Sequence, residues 1–255
     1  MIFIKTAEEI ELLRASNLLV SRALAEVGKA IKPGVSTLKL DKIAEEYLRG
    51  HGGIPGFLGY NGFPATLCTS LNDEVVHGIP SEKELSEGDI LSVDCGVKLQ
   101  GYFGDSAYTF PIGEPSEEHK FLVQHTRESL FKGIEAAVAG NRLGDIGYAI
   151  QNHAEQAGYS VVREMVGHGL GQNLHEEPEV PNYGRRGSGI ILKAGMVICI
   201  EPMINMGTRF IKQDTDGWTI RTTDGKPSAH YELAVAITKG EPDVLSTFEY
   251  IEANN

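Results

Sequence analysis

Two stretches of this chain repeat at nearly one spacing, which constrains it to fold as two related halves. KPGVSTLKLDKIAEEYLRGHGG, from Lys32, is similar to VAGNRLGDIGYAIQNHAEQAGY, from Val138, at an offset of 106 residues; Gly34 falls over Gly140, Leu40 over Ile146 and Gly52 over Gly158. LSEGDILSVD, from Leu85, matches LKAGMVICIE, from Leu192, at an offset of 107, which sets Asp94 over Glu201. Identity is low, yet order and offset are shared, so duplication explains the match better than chance likeness between short α/β segments. Each half reads as a long helix, a second helix, a strand and a hairpin whose first arm ends in a carboxylate. The expectation is a single domain over 1–255, with halves at about 1–115 and 116–255.

The first hairpin is ILSVDCGVKLQGYFGDSAYTF, Ile90 to Phe110, with Gly101 in the turn between two β-prone arms. A loop at Leu99-Gln100, or its extension Lys98 to Gly101, sets Asp94 opposite Asp105 with Cβ atoms about 4.5–5.5 Å apart. A three-residue loop puts the pair out of register, and a solvated sheet face would leave both as ordinary surface aspartates. In the second half, HYELAVAI, from His230, supplies the strand returning to Glu201: Glu232, Ala234 and Ala236 share one face, Leu233, Val235 and Ile237 the other. The insertion Asn205 to Ala229 carries the only tryptophan, Trp218, and no strong core pattern, so it reads as a loop over the site.

Asp94, Asp105, Glu201 and Glu232 thus sit on two related hairpins whose flanks, ILSVDCG, MVICIEPMI and YELAVAI, contain no Lys or Arg. Buried without cations, such charges cost several kcal/mol each. Two divalent ions would cancel four carboxylates formally and one would not, which argues for a dinuclear centre. Histidine candidates are His168, between glycines in MVGHGLGQNLHEEPEVPNY, His175 in the same segment, and His77 in VVHGIP beside the glycine- and aromatic-rich stretch Gly56 to Pro80, which reads as a loop, a short strand and a second loop walling a cavity. His51, His119, His125 and His153, on polar helical segments, read as satisfied structural groups.

Elsewhere Thr6 and Glu9 form a capping box for a helix to about Ile31, with Ile10, Leu13, Asn17, Val20 and Leu24 near helical spacing. Pro33-Gly34 ends it, and a second amphipathic segment, Leu38 to Arg49, stops at Gly52-Gly53. Three cysteines, Cys68, Cys95 and Cys199, give neither a disulfide framework nor a zinc ribbon. The N-terminus lacks the pattern of a signal peptide and no segment is long and apolar enough for a membrane span, so cytoplasmic residence is the expectation. A formal charge of −12 argues against a broad nucleic-acid surface.

The motifs CTSLNDEVVHGIP, SVDCGVKLQGYFGDSAYTF, MVGHGLGQNLHEEPEVPNYG, CIEPM and HYELAVAI, in that order across essentially the whole chain, resemble the type I methionyl aminopeptidases of the pita-bread metallopeptidase family, which includes prolidase and aminopeptidase P. The resemblance implies an α+β pita-bread fold: a curved antiparallel sheet with helices on its outer face and two pseudo-symmetric halves. It implies metal ligands Asp94, Asp105, His168, Glu201 and Glu232, with Asp105 and Glu232 bridging two divalent ions drawn from Co, Mn, Fe(II), Zn or Ni. It implies an aminopeptidase that removes the initiator methionine from nascent proteins when the second residue is small, through a bridging hydroxide. Glu201 would be the general base, His175 would stabilise the oxyanion and His77 would hold or protonate the scissile nitrogen. Tyr60, Phe63, Cys68, Leu174 and Trp218 would form the methionine pocket. One departure is Leu174, where this family usually has phenylalanine, which keeps the wall apolar but changes its shape. Neither the N-terminal extension of some relatives nor the N-terminal domain of prolidase and aminopeptidase P is expected. A monomer acting on nascent N-termini is expected, with the ribosome a further candidate partner. Two other readings are cleavage before proline and a non-catalytic partner-binding relative; the latter would be expected to lose ligands, and all five positions are filled.

Overall fold

The computed structural model describes residues 1–253, so the end of the expected second half, at 255, lies outside the described residues. Helix α1 (Ala7–Ala30) starts at the capping box: Thr6 accepts from the Glu9 amide and the Glu9 carboxylate accepts from the Thr6 amide. Its buried stripe carries Leu13, Asn17, Val20 and Leu24. It ends before Pro33, and Gly34 turns the chain at φ 84°. Helix α2 (Thr37–Gly50) follows, capped by Ser36.

Among the strands, those that build the site are β1 (Leu67–Leu71), β2 (Glu74–Val76), β3 (Ile90–Leu99) and β4 (Tyr102–Pro111) in the first half. After α3 (Glu117–Ala136) and α4 (Leu143–Gln156) come β5 (Gly167–Gly169), β6 (Glu176–Val180), β7 (Val197–Ile200), β8 (Ile220–Thr222), β9 (Ser228–His230) and β10 (Leu233–Ala236). The order helix, helix, antiparallel hairpin therefore occurs twice. Strand β3 lies between β1 and β4, and β10 pairs with β7, all antiparallel. The two sheets meet where Ala107 of β4 bridges Glu232.

The first hairpin corrects the expected register. Leu99 pairs with Tyr102, so the turn is Gln100-Gly101, both at positive φ (51° and 88°) as a tight two-residue hairpin turn requires. Asp94 consequently faces Ala107, and Asp105 faces Gly96. Parity is kept: the two carboxylates share a face as diagonal rather than direct neighbours.

Helix α1 seats on this hairpin at unusually close range, because a Cβ on Gly104 would lie 2.5 Å from the Ser16 backbone. The Ser16 hydroxyl faces the carbonyls of Leu99 and Tyr102, and the Asp105 amide donates to Asn17 Oδ1 at 3.1 Å. A polar pair inside the helix stripe thus fixes the strand that carries Asp105.

Strand β10 separates its two faces as the alternation predicts. Leu233, Val235 and Ile237 join the main core with Leu24, Leu91 and Ile200, while Ala234 and Ala236 turn to a second cluster with Phe63, Cys68 and Leu174. Two further expectations need correcting. The stretch Gly56 to Pro80 holds two strands of the sheet system, β1 and β2, not one. The insertion after Asn205 is not a bare loop: Ile211–Gln213 pairs with β8, and β8 pairs with β2, burying Ile220 and Thr222. Three-residue strands bury too few alternating side chains to leave a readable period.

Candidate metal centre

Every residue expected in the site lines one cavity of about 250 Å3: Asp94, Asp105, His168, Glu201 and Glu232 on one wall, and His77, His175, Tyr60, Phe63, Cys68, Leu174 and Trp218 around them. Asp94 and Asp105 come from β3 and β4. Glu201 follows β7 and Glu232 precedes β10; extending the Leu233 to Ile200 pairing by one step sets these two opposite each other. His168 is the middle residue of β5, and its Nδ1 lies 2.9 Å from the Gly169 carbonyl. A carbonyl only accepts, so Nδ1 carries the proton and Nε2 keeps its lone pair for the site. That Nε2 stands 3.5 Å from Glu201 Oε1 and 3.8 Å from Asp105 Oδ2.

Asp94 Oδ1, Asp105 Oδ1 and Glu232 Oε1 are buried without a hydrogen-bond partner. Such orphaned acceptors are costly, and no lysine or arginine lines the cavity to pair with them. Burial pushes Asp94 up to about 7. Burial, then the charges of Glu232 and Asp94, hold Asp105 well above the usual carboxylate range; burial, then acidic neighbours, does the same to Glu201 and Glu232. Burial, then His175, pulls His168 down to about 3. Oxygen-rich donors with one neutral imidazole, several of them unpartnered, fit divalent cations, which would invert these shifts by stabilising the ionised carboxylates.

Around the carboxylates the wall turns apolar. Phe63 and Trp218 pack edge to face with centroids 5.2 Å apart, and Leu174 and Cys68 are buried beside Phe57. Burial raises the Cys68 thiol well above its ordinary value, so it behaves as a small apolar group. His175, at the mouth, stacks edge-on against His168 at 4.4 Å, and its Nδ1 lies 2.7 Å from the Tyr60 hydroxyl. His77 adopts φ 60°, a left-handed conformation uncommon for a non-glycine residue. Burial, then His175, lowers its imidazole.

Sequence reasoning passed over several residues that the fold brings here. His230 is buried with an unpartnered Nε2, 3.8 Å from Glu201 Oε2. Strand parity was the available signal, since His230 stands two residues before Glu232. Cys199 Sγ lies in the same cluster as Asp105, His168 and Glu232; its thiol is pushed well up by burial, then by Glu232, and remains a donor to that carboxylate. Asn182 Nδ2 donates to the Glu201 carbonyl at 3.0 Å.

Comparison with known proteins gives a consistent picture. The family model described as metallopeptidase family M24 matches residues 11–239. A Clostridium acetobutylicum protein named methionine aminopeptidase is 53% identical over 250 residues, covering 98% of this chain and 100% of that protein. Methionine aminopeptidase 1 of Bacillus subtilis is 49% identical, over 96% of this chain and 99% of that one. The crystal structure of methionine aminopeptidase from Rickettsia prowazekii superposes with a TM-score of 0.96 at 40% identity, covering 97% of this chain and all of the other.

Proposed function

The chain belongs to metallopeptidase family M24, and we propose that it is a metal-dependent aminopeptidase releasing the N-terminal methionine of nascent proteins whose second residue is small. The observation that carries the reading is the convergence of five ligand-type side chains, with three orphaned carboxylate oxygens, on one wall of a cavity whose other wall is apolar. Asp94, Asp105, His168, Glu201 and Glu232 would hold two divalent ions. When bound, such ions polarise the scissile carbonyl and lower the pKa of a bound water to ~7.

The chain's own groups supply the rest. Glu201 takes the proton of the attacking water. His175, held through Nδ1 by Tyr60, offers Nε2–H to the developing oxyanion, and His77 holds or protonates the scissile nitrogen. Tyr60, Phe63, Cys68, Leu174 and Trp218 enclose the methionine side chain, an apolar surround suited to a polarizable thioether. The fold is a single catalytic domain of duplicated halves. No helix among the described residues is long and apolar enough to cross a membrane. The reading extends to a cytoplasmic monomer, with the ribosome a candidate partner.

Hydrolysis of Met-Ala-Ser and of Xaa-Pro peptides, measured while the metal-free protein is titrated with Co(II), Mn(II), Fe(II), Zn(II) or Ni(II), tests it. Methionine release that saturates near two ions per chain is expected. Cleavage confined to Xaa-Pro substrates would move the assignment to the proline-directed branch, and no activity with any metal would end it.

A further inference from the structure

Four histidines outside the cavity read from the sequence as ordinary satisfied groups, and two of them are: His51 Nδ1 pairs with the Tyr47 carbonyl at 2.8 Å and His119 Nδ1 with that of Gly88 at 3.0 Å. The other two converge. His125 and Glu128 lie three residues apart on one face of α3, and His153 reaches them from the last turn of α4. His153 Nε2 is 3.0 Å from Glu128 Oε2, His125 Nδ1 is 3.3 Å from the same oxygen, and the two ring nitrogens are 3.5 Å apart. None of the three lines the cavity described above.

Those three separations are the edges of a triangle of donor atoms. Tetrahedral coordination at metal–ligand lengths of ~2.0–2.1 Å places neighbouring donors about 3.3–3.4 Å apart, so the triangle already has the size of one face of such a shell. Two imidazole nitrogens and one carboxylate oxygen so directed present three lone pairs to a single point, where one cation can be shared. The second oxygen, Glu128 Oε1, accepts from Gln124 Nε2 at 2.8 Å, which fixes the carboxylate with Oε2 turned to the histidines. The side chains keep 25–38% of their surface exposed, which leaves an entry path and room for water as a fourth ligand.

We propose that His125, Glu128 and His153 form a second metal site, distinct from the carboxylate-rich centre, whose ion ties α3 to α4. Two imidazoles and one carboxylate suit Zn(II), Ni(II), Co(II) or Cu(II), and exclude Mg(II) and Ca(II), which demand oxygen-rich shells of six or more ligands. An ion bound only by the folded arrangement stabilises it in proportion to its saturation.

The test compares the full chain with His153→Gln and His125→Asn variants, each loaded with Zn(II), desalted and assayed for metal by elemental mass spectrometry and for Tm with and without added Zn(II) or Mg(II). The variants should hold about one zinc fewer per chain, hydrolyse Met-Ala-Ser at the rate of the unaltered protein, and lose several degrees of the zinc-induced rise in Tm, while Mg(II) moves none of them. Equal zinc content in all three proteins, or a zinc-induced Tm rise that both variants retain in full, overturns the site and leaves Glu128 as a carboxylate accepting from two imidazoles. Because the readout is the difference between proteins that share the same catalytic residues, it stands whether or not the peptidase reading holds.

Discussion

Ala107 and Glu232 exchange backbone hydrogen bonds in both directions, the Glu232 amide donating to the Ala107 carbonyl at 2.9 Å and the Ala107 amide to the Glu232 carbonyl at 3.4 Å. Ala107 also lies opposite Asp94 across β3 and β4, so a short line of backbone pairings carries Asp94, Ala107 and Glu232 from one half to the other. The Ser106 hydroxyl donates to the Glu232 carbonyl at 2.7 Å and secures the same junction. Acidic side chains that would repel are therefore held together by main-chain bonds, which their own ionisation cannot move.

Substituting one of these acids by its amide separates catalysis from folding. Glu232→Gln keeps the shape but cannot ionise to hold a cation, so kcat/KM for Met-Ala-Ser should fall by about 10³-fold or more with the loss of a ligand. The same change removes an acid whose ionised form burial and Glu201 disfavour. The metal-free variant should consequently melt above the metal-free parent at pH 8. Thermal melts of both proteins in chelator measure this; a metal-free variant less stable than its parent would contradict the electrostatic account.

The pH dependence of the metal-free protein follows from opposing groups. Asp94 is raised to about 7 from its usual 3.8, so its contribution to stability is full below about pH 4 and is lost as pH rises through 7. Asp105, Glu201 and Glu232, also raised, act in the same direction. His168 and His230 are pulled to about 3 from 6.5, so their contribution is present above 6.5 and lost as pH falls toward 3. Between about 4 and 6.5 the two trends oppose each other; above 6.5 only the acids still titrate. Metal-free Tm should decline from pH 6.5 to 8, whereas the metal-loaded protein, whose ligands must be deprotonated, should gain the most from its ions there. Parallel melting curves with and without metal across that range would refute the assignment.

What the sequence disclosed and what it withheld divide along physical lines. The four acids were legible because carboxylates in flanks without Lys or Arg stand out against an apolar strand, and alternation in HYELAVAI set the faces of β10 correctly. The hairpin register was not, since Gln100 at positive φ is not a turn residue that composition flags. Strand β8 escaped notice because it is three residues long and joins the distant β2 through only two residue pairs, with a register shift between them. His125 and His153 sit 28 residues apart on two helices, and only the packing of α3 on α4 makes them neighbours.

Tyr60→Phe isolates the hydrogen bond to His175. Burial, then the charge of Asp105, raises the Tyr60 phenol above its ordinary value, so it keeps its proton; in the tautomer the proposed role requires, that hydroxyl donates to Nδ1 and Nε2–H is directed at the substrate. Without that donor the imidazole is free to take the other tautomer. The expected loss is about 10–100-fold in kcat with metal content unchanged. A variant with unaltered kcat would remove the oxyanion role from His175, and one that also lost metal would place Tyr60 in support of the ligands instead.

His77 holds φ 60° where glycine would sit without strain, and it lies on the cavity. Strain at a residue facing a reactive site is retained when the side chain has work there, since a left-handed non-glycine residue costs of order 1 kcal/mol or more. Comparing glycine with alanine at this position separates the two contributions: both lack the imidazole, but only alanine keeps the Cβ that the backbone disfavours. His77→Gly should be more stable than His77→Ala by about 1 kcal/mol, measured by denaturant unfolding of the metal-loaded proteins. Both should lose about 10²-fold or more in kcat/KM if the imidazole meets the scissile nitrogen, and the loss should be the same in each. Activity that recovers in the glycine variant would mean that the loop's conformation, and not the ring, is what the reaction requires.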